Sequence, residues 1–185
     1  MTDEWIERLV GLVGTPQRRD IDWARYGSRN GMVLPSSYRS LAEVFGPGAF
    51  SRSVNLLAVD PGKPMDLYGG LVAHQQAEDA VHPGGPDGPY APYSIFRGRG
   101  EGLIPWGWSE WDEHFYWLAS EEVAPDEWPI LAATDDFASE GWFRFEMSVP
   151  QFVWTILTTF ELAPFGWDEQ LAEHTFLSAS SVEMT

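Results

Sequence analysis

Cysteine is missing from this chain, and that one absence removes several chemistries. It leaves no disulfide framework, no zinc–thiolate centre and no thiol nucleophile. Positive charge is scarce: 11 Lys and Arg stand against 28 Asp and Glu, a formal net charge of −17. Phosphate contacts need clustered Lys and Arg, so direct binding to nucleic acid is not expected. The same charge repels an anionic membrane surface. No apolar run approaches the ~20 residues of a membrane span. Met1-Thr2-Asp3-Glu4 is acidic with no long apolar segment after it, which argues against a signal peptide. The expectation is a soluble cytoplasmic domain.

Catalytic and metal signatures are absent as well. His74, His82, His114 and His174 lack the i, i+4 pairing with Glu that marks a zinc helix. There is no G-x-S-x-G and no glycine-rich phosphate loop followed by Lys. Glu121-Glu122, Asp126-Glu127 and Asp135-Asp136 are adjacent carboxylates without the alternating oxygen ligands of a calcium loop. No metal or other cofactor is therefore expected. Arg97-Gly98-Arg99-Gly100 is basic, but two arginines do not make a nucleic-acid site.

What the chain does contain is apolar and aromatic. Its 185 residues, 44% of them hydrophobic, suit one domain with a substantial core, and 15% aromatics set it apart from disordered acidic chains. The charge is uneven. Residues 1–100 carry 11 acidic against 10 basic groups, whereas residues 101–185 carry 17 against Arg144 alone, or 1 − 17 = −16. Eight of the 10 tryptophans fall in the same acidic stretch, six of them, Trp106, Trp108, Trp111, Trp117, Trp128 and Trp142, between residues 101 and 146.

Periodicity supplies the elements. Trp5, Ile6, Leu9, Val10 and Val13 form a helical stripe over residues 3–14. Ile21 and Trp23 suggest a short helical turn. Pro35 suits a first helical position, Tyr38, Leu41, Ala42 and Phe45 form the stripe of that helix, and Gly46 suits a left-handed end. Residues 54–59 read as a strand closed by a turn, and residues 65–81 as a helix weakened by Gly69-Gly70. Residues 82–92 read as an irregular loop. Strand patterns at 102–108, 114–119, 128–133 and 141–146 predict an antiparallel meander. Ser148 and Gln151 form a capping box, with Met147 able to staple to Phe152, and Val149, Phe152, Val153, Ile156, Leu157 and Phe160 continue as a helical stripe. The tail from Glu161, with Trp167 and Phe176, is expected to add one further short element.

The order of these pieces resembles the SUKH superfamily, which includes bacterial immunity proteins and a yeast regulator of cell-wall synthesis. The resemblance rests on Leu34-Pro35-Ser36-Ser37-Tyr38 opening a helix, Phe45-Gly46-Pro47-Gly48-Ala49-Phe50, and the strand beginning at Asn55. It continues through Ile104-Pro105-Trp106-Gly107, His114-Phe115-Tyr116-Trp117-Leu118 and the helix at 148–159. It implies a single α+β domain, with helices on one face of a mostly antiparallel sheet whose other face is partly open. The core would occupy about residues 20–160, with an insertion at about 60–100 and a tail at 161–185. It also implies a non-enzymatic domain that neutralises a toxin, often a nuclease. Leu34, Pro35, Tyr38 and Gly46 are implied as structural positions.

Acidic groups beside rigid aromatics suit a surface that steers and anchors a cationic protein. Trp106, Trp108, Glu110, Trp111, Asp112, Glu113, Asp126, Glu127, Asp135 and Asp136 are the candidate contacts with a basic toxin or other basic protein. On a regular strand, Trp106 and Trp108 share one face, which is either that surface or simply the core. Two other readings stand beside this one: a regulatory scaffold, and a carbohydrate-active enzyme recruiting Glu110 or Glu113 as one of two carboxylates.

Overall fold

The stripe that opens the chain folds as α1 (Glu4–Val13), burying Ile6 and Leu9. The computed structural model describes residues 4–14, 19–59, 66–81, 88–134, 141–166 and 173–179. α2 (Trp23–Asn30) is longer than the turn expected there; Asp22 caps it by accepting the Arg25 N–H. α3 (Ser36–Phe45) buries Tyr38, Leu41, Ala42 and Phe45, the expected stripe. Two details of its ends differ from expectation. Pro35 is the residue before the helix, with φ −49° and ψ 137°, and Gly46 combines φ +69° with ψ −168°, which is not left-handed helical.

The remaining elements are β1 (Gly48–Phe50), β2 (Val54–Leu56), α4 (Leu67–Val81), β3 (Glu101–Trp108), β4 (His114–Ser120), a 3-10 turn (Pro125–Glu127), β5 (Ile130–Ala133), β6 (Trp142–Phe145), α5 (Val149–Thr158) and β7 (Phe176–Ser178). The strands form one sheet in the order β6-β5-β4-β3-β2-β1-β7, each neighbouring pair antiparallel. The expected meander is β3 to β6. The expected short element of the tail is β7, which extends the sheet beside β1 and sets Phe176 against Phe45 and Phe50 at 5.1 and 4.7 Å. Trp167 lies outside the described residues.

The α+β architecture is the one expected, with α1, α3 and α5 layered on one face of the sheet. Alternation along β4 decides what each face carries. Phe115 and Trp117 point to the helical layer, where Trp117 meets Tyr38 of α3 at 4.8 Å and Phe115 meets Phe152 of α5 at 5.2 Å. Ser148 caps α5 as expected, accepting the Gln151 N–H, and α1 packs on α5 through Trp5 and Trp154 at 5.3 Å.

Tyr116 points the other way, and there α4 provides a second cover. Gly69 and Gly70 do not break α4, because they fall in its first turn, where Asp66 Oδ2 accepts the Gly69 N–H at 3.1 Å. His74 of α4 lies 5.9 Å from the Tyr116 ring. Residues 94–96 then run alongside the first half of β3, with Phe96 N–H donating to Leu103 O and Leu103 N–H to Ser94 O. Side chains of α4 satisfy the far side of this segment: Glu78 Oε1 accepts the Ile95 N–H at 3.1 Å and Gln75 Nε2 donates to Phe96 O at 2.7 Å. Glu78 is a buried carboxylate, matched on its other oxygen by Arg97 at 3.0 Å.

Gly102 is what lets this segment lie so close, since a Cβ there would sit 2.6 Å from the Phe96 Cα. Gly102→Ala is expected to destabilise the protein by about 1–3 kcal/mol, the usual range for overpacking. Hydrogen exchange should show lost protection at Phe96 and Leu103; unchanged protection would contradict the packing described.

Candidate functional site

The β3–β4 pairing places the tryptophans. Pro105 pairs with Tyr116 and Gly107 with Phe115, so Trp106 is an extra residue in β3, a bulge. The insertion breaks the alternation that would have put Trp106 and Trp108 on one face. Trp106 turns into the helical layer, 5.3 Å from Phe115 and 5.7 Å from Phe152, and is 0% exposed. Trp108 pairs with His114 on the opposite, Tyr116 side and is half-buried. Trp106 is therefore a core residue and not a surface anchor. Trp128 and Trp142 are tied by their indole N–H groups to Ser120 O and Ala91 O, each at 3.1 Å. Trp111, at 42%, is the most exposed of the described tryptophans.

The same strand directions divide the carboxylates. Trp108 pairs with His114, and His114 with Ala133, so the 109–113 turn lies at one end of the meander. Glu101 pairs with Ser120, and Ile130 with Phe145, so Glu101, Glu121, Glu122, Asp126, Glu127 and Glu146 belong to the other. The seven residues of β4 separate the two ends by about 20 Å. The candidate residues thus do not form one patch. Trp108, Glu110, Trp111, Asp112 and Glu113 come together at the first end, and Asp126 and Glu127 stand at the second. Asp135 and Asp136 lie outside the described residues.

Asp126 has a structural partner. Its Oδ1 accepts the N–H of Ser36, the first residue of α3. Pro35 has no side-chain group for this, so a carboxylate 90 residues away caps the helix and meets its positive end. Glu127, beside it, is exposed.

The turn at the first end is the more distinctive site. Glu110 is exposed and holds Arg52 of the β1–β2 turn, with Arg52 Nε and Nη2 at 2.6 and 2.5 Å. Asp112 is exposed and adopts φ +59°. Ser109 is buried; its hydroxyl accepts the backbone N–H of Trp111 at 3.1 Å and also bonds the Glu113 carboxylate. Glu113 is only 7% exposed, and its Oε2 has no hydrogen-bond partner. Burial raises its pKa above the ordinary carboxylate range, and the Ser109 bond opposes that only in part. Glu110 and Glu113, the residues a glycosidase reading recruits, share this one turn, and Glu110 is ion-paired.

Sequence inspection missed the aromatic group on the second face. His74 stacks on Tyr90 at 5.6 Å, and Tyr116 stands between Tyr90, His114 and Trp142 at 5.7–6.4 Å. His74 Nδ1 lies 2.8 Å from Gly70 O, and burial lowers the imidazole pKa, so it stays neutral. Among the described residues, no three His, Asp or Glu side chains cluster as metal ligands, and no helix is long and apolar enough to cross a membrane. The chain matches no protein-family model, no curated protein and no solved structure.

Two predictions follow from these contacts. Asp126→Ala should lower unfolding free energy by about 0.5–2 kcal/mol, the usual value of a lost helix cap, and thermal denaturation reads it directly. For His74, the folded pKa is depressed, so below about pH 6.5 the unfolded chain takes up a proton that the folded one resists. Stability should fall on acidification through that region. His74→Phe, facing Tyr90, Tyr116 and the Glu78 turn of α4, should flatten the loss of Tm between pH 7 and pH 5.5. An identical slope in the variant would remove His74 as the cause. His174, also depressed by burial, is common to both proteins and cancels.

Proposed function

We propose that this chain is a SUKH-like, non-enzymatic immunity domain that binds and neutralises a basic toxin domain, nuclease-like in its cationic cleft. The observation that carries the reading is the imbalance of surface charge in the meander. Glu101, Asp112, Glu121, Glu122, Asp126 and Glu127 are all exposed there, besides Glu110, which pairs with Arg52, and Glu146, which pairs at 2.7 Å with Arg144, the one basic residue between positions 101 and 146. Uncompensated carboxylates repel one another and destabilise the compact state, so their accumulation is accounted for by a complementary cationic partner. The acidic groups steer the encounter, and an exposed indole supplies contact area at small entropic cost. Occupying the toxin's cleft with carboxylates excludes its anionic substrate without any chemistry by the immunity domain. The resemblance in element order supplies the biological role.

Capture from the native host at low ionic strength, followed by stopped-flow association with the purified toxin domain, tests the reading. The association rate should fall by about tenfold or more between 20 and 200 mM salt, as for steered encounters, while dissociation changes little. An affinity and association rate indifferent to salt would contradict it.

A further inference from the structure

We infer that the uncovered half of the second sheet face docks a basic segment of the partner. Two apolar side chains of that segment settle on Leu177 and Trp108, while its Lys or Arg side chains meet the carboxylates at the adjoining end of the sheet. The inference rests on the proposed function and assigns the face that serves it. Register builds this surface. Leu177 of β7 pairs with Ala49 of β1, Ala49 with Asn55 of β2, and Asn55 with Trp108 of β3. Paired residues share a face, and Trp108 lies on the Tyr116 side, so all four form one row on the second face. Three strand spacings separate Leu177 from Trp108, about 14 Å.

The roof of this face stops short of the row. His74 on Tyr116, Glu78 on Ile95 and Trp142 on Ala91 place α4 and residues 90–96 over β3 to β6. α4 begins beside Leu57 and Ala58, past the row. Leu177 is 52% exposed, and Ala49, Asn55 and Trp108 are half-buried. Among the described residues, the Trp108 indole meets no other ring and its N–H no acceptor; Trp108 O accepts from Asn55 Nδ2. The indole N–H groups of Trp23, Trp128 and Trp142 are all taken. A half-buried indole with a spare donor is the kind of group that anchors an interface.

Charge decides the occupant. The 51–53 turn, the 109–113 turn and the approach to β7 share one end of the sheet, where Ser51 N–H donates to Thr175 O and Glu110 N–H to Arg52 O. Among the described residues of that end, Glu173, Glu110 and Asp112 are exposed against Arg52, which Glu110 already holds. Arg19 reaches Ser178, but on the helical face of β7. An apolar row bordered by carboxylates complements a segment that is apolar on one side and cationic along its edge. A second copy of this acidic chain would bring like charge to the same rim.

The probe is a short acetylated amphipathic peptide of leucine and lysine, titrated at 20 mM salt into isotope-labelled protein and followed by NMR, with pentalysine as the charge-only control. Amide shifts should concentrate at Ala49, Asn55, Trp108 and Leu177, and the Trp108 indole N–H should move with them. Pentalysine should bind about tenfold more weakly, for want of apolar contact. Leu177→Ala, at an exposed site, should weaken the leucine–lysine peptide by about fivefold, and the opposite-end double variant E121Q/E122Q by about twofold or less. Shifts centred on residues 121–127, or a Leu177→Ala protein that binds as wild type, overturn the inference and leave the acidic-surface reading standing. Binding at the row that is unchanged between 20 and 200 mM salt overturns the basic character of the occupant, and the proposed function with it. A wild-type protein that takes up neither peptide overturns the inference alone, because the salt dependence of toxin association still decides the function.

Discussion

The register between β3 and β4 is the constraint from which the rest of the arrangement follows. One extra residue at Trp106 lets a full-sized indole enter the helical layer and returns Trp108 to the opposite face. The core behind it is continuous: Trp106, Phe115, Trp117, Tyr38 and Phe152 pack ring against ring with almost no exposure. Losing a buried tryptophan of that kind costs about 3–5 kcal/mol, a large share of a domain's net stability. The hairpin direction then puts the 109–113 turn at one end of the meander and residues 121–127 at the other.

Electrostatics acts on this frame in two distinct ways. At the far end, Asp126 is spent on the fold, because α3 begins after a proline and needs an acceptor from outside. At the near end, Glu113 works against the fold, since a desolvated carboxylate with an open oxygen disfavours the charged form that neutral pH imposes. Two acidic residues that look alike in the sequence therefore have opposite effects on stability.

Much of the scaffold was legible because its helices are periodic and its central strands are continuous apolar runs. The stripes of α1, α3 and α5 and the apolar runs of β3 to β6, each bounded by acidic or Gly/Pro-containing connections, are long enough to be read. Three-residue strands such as β1 carry too little pattern, and the partner of β7 lies more than a hundred residues away along the chain. Gly69-Gly70 made α4 look weak, but glycine costs little in a first turn that has a carboxylate to cap it. The site was legible only in composition. A bulge leaves no trace in a period of two, so Trp106 and Trp108 read as facing the same way. A glutamate in a turn reads as solvated, and nothing local to Glu113 shows that Ser109 and the turn enclose it. The capping role of Asp126 and the His74–Tyr116 contact depend on segments 90 and 42 residues apart, beyond any local rule.

The central claim is that the turn holds a desolvated, incompletely matched carboxylate while the carboxylates of the opposite end remain solvated. Site-resolved titration of the side-chain carboxyl carbons by NMR measures this directly. Glu113 should lose its proton at a pH above the ordinary glutamate range. A Glu113 midpoint within the ordinary glutamate range would contradict the account.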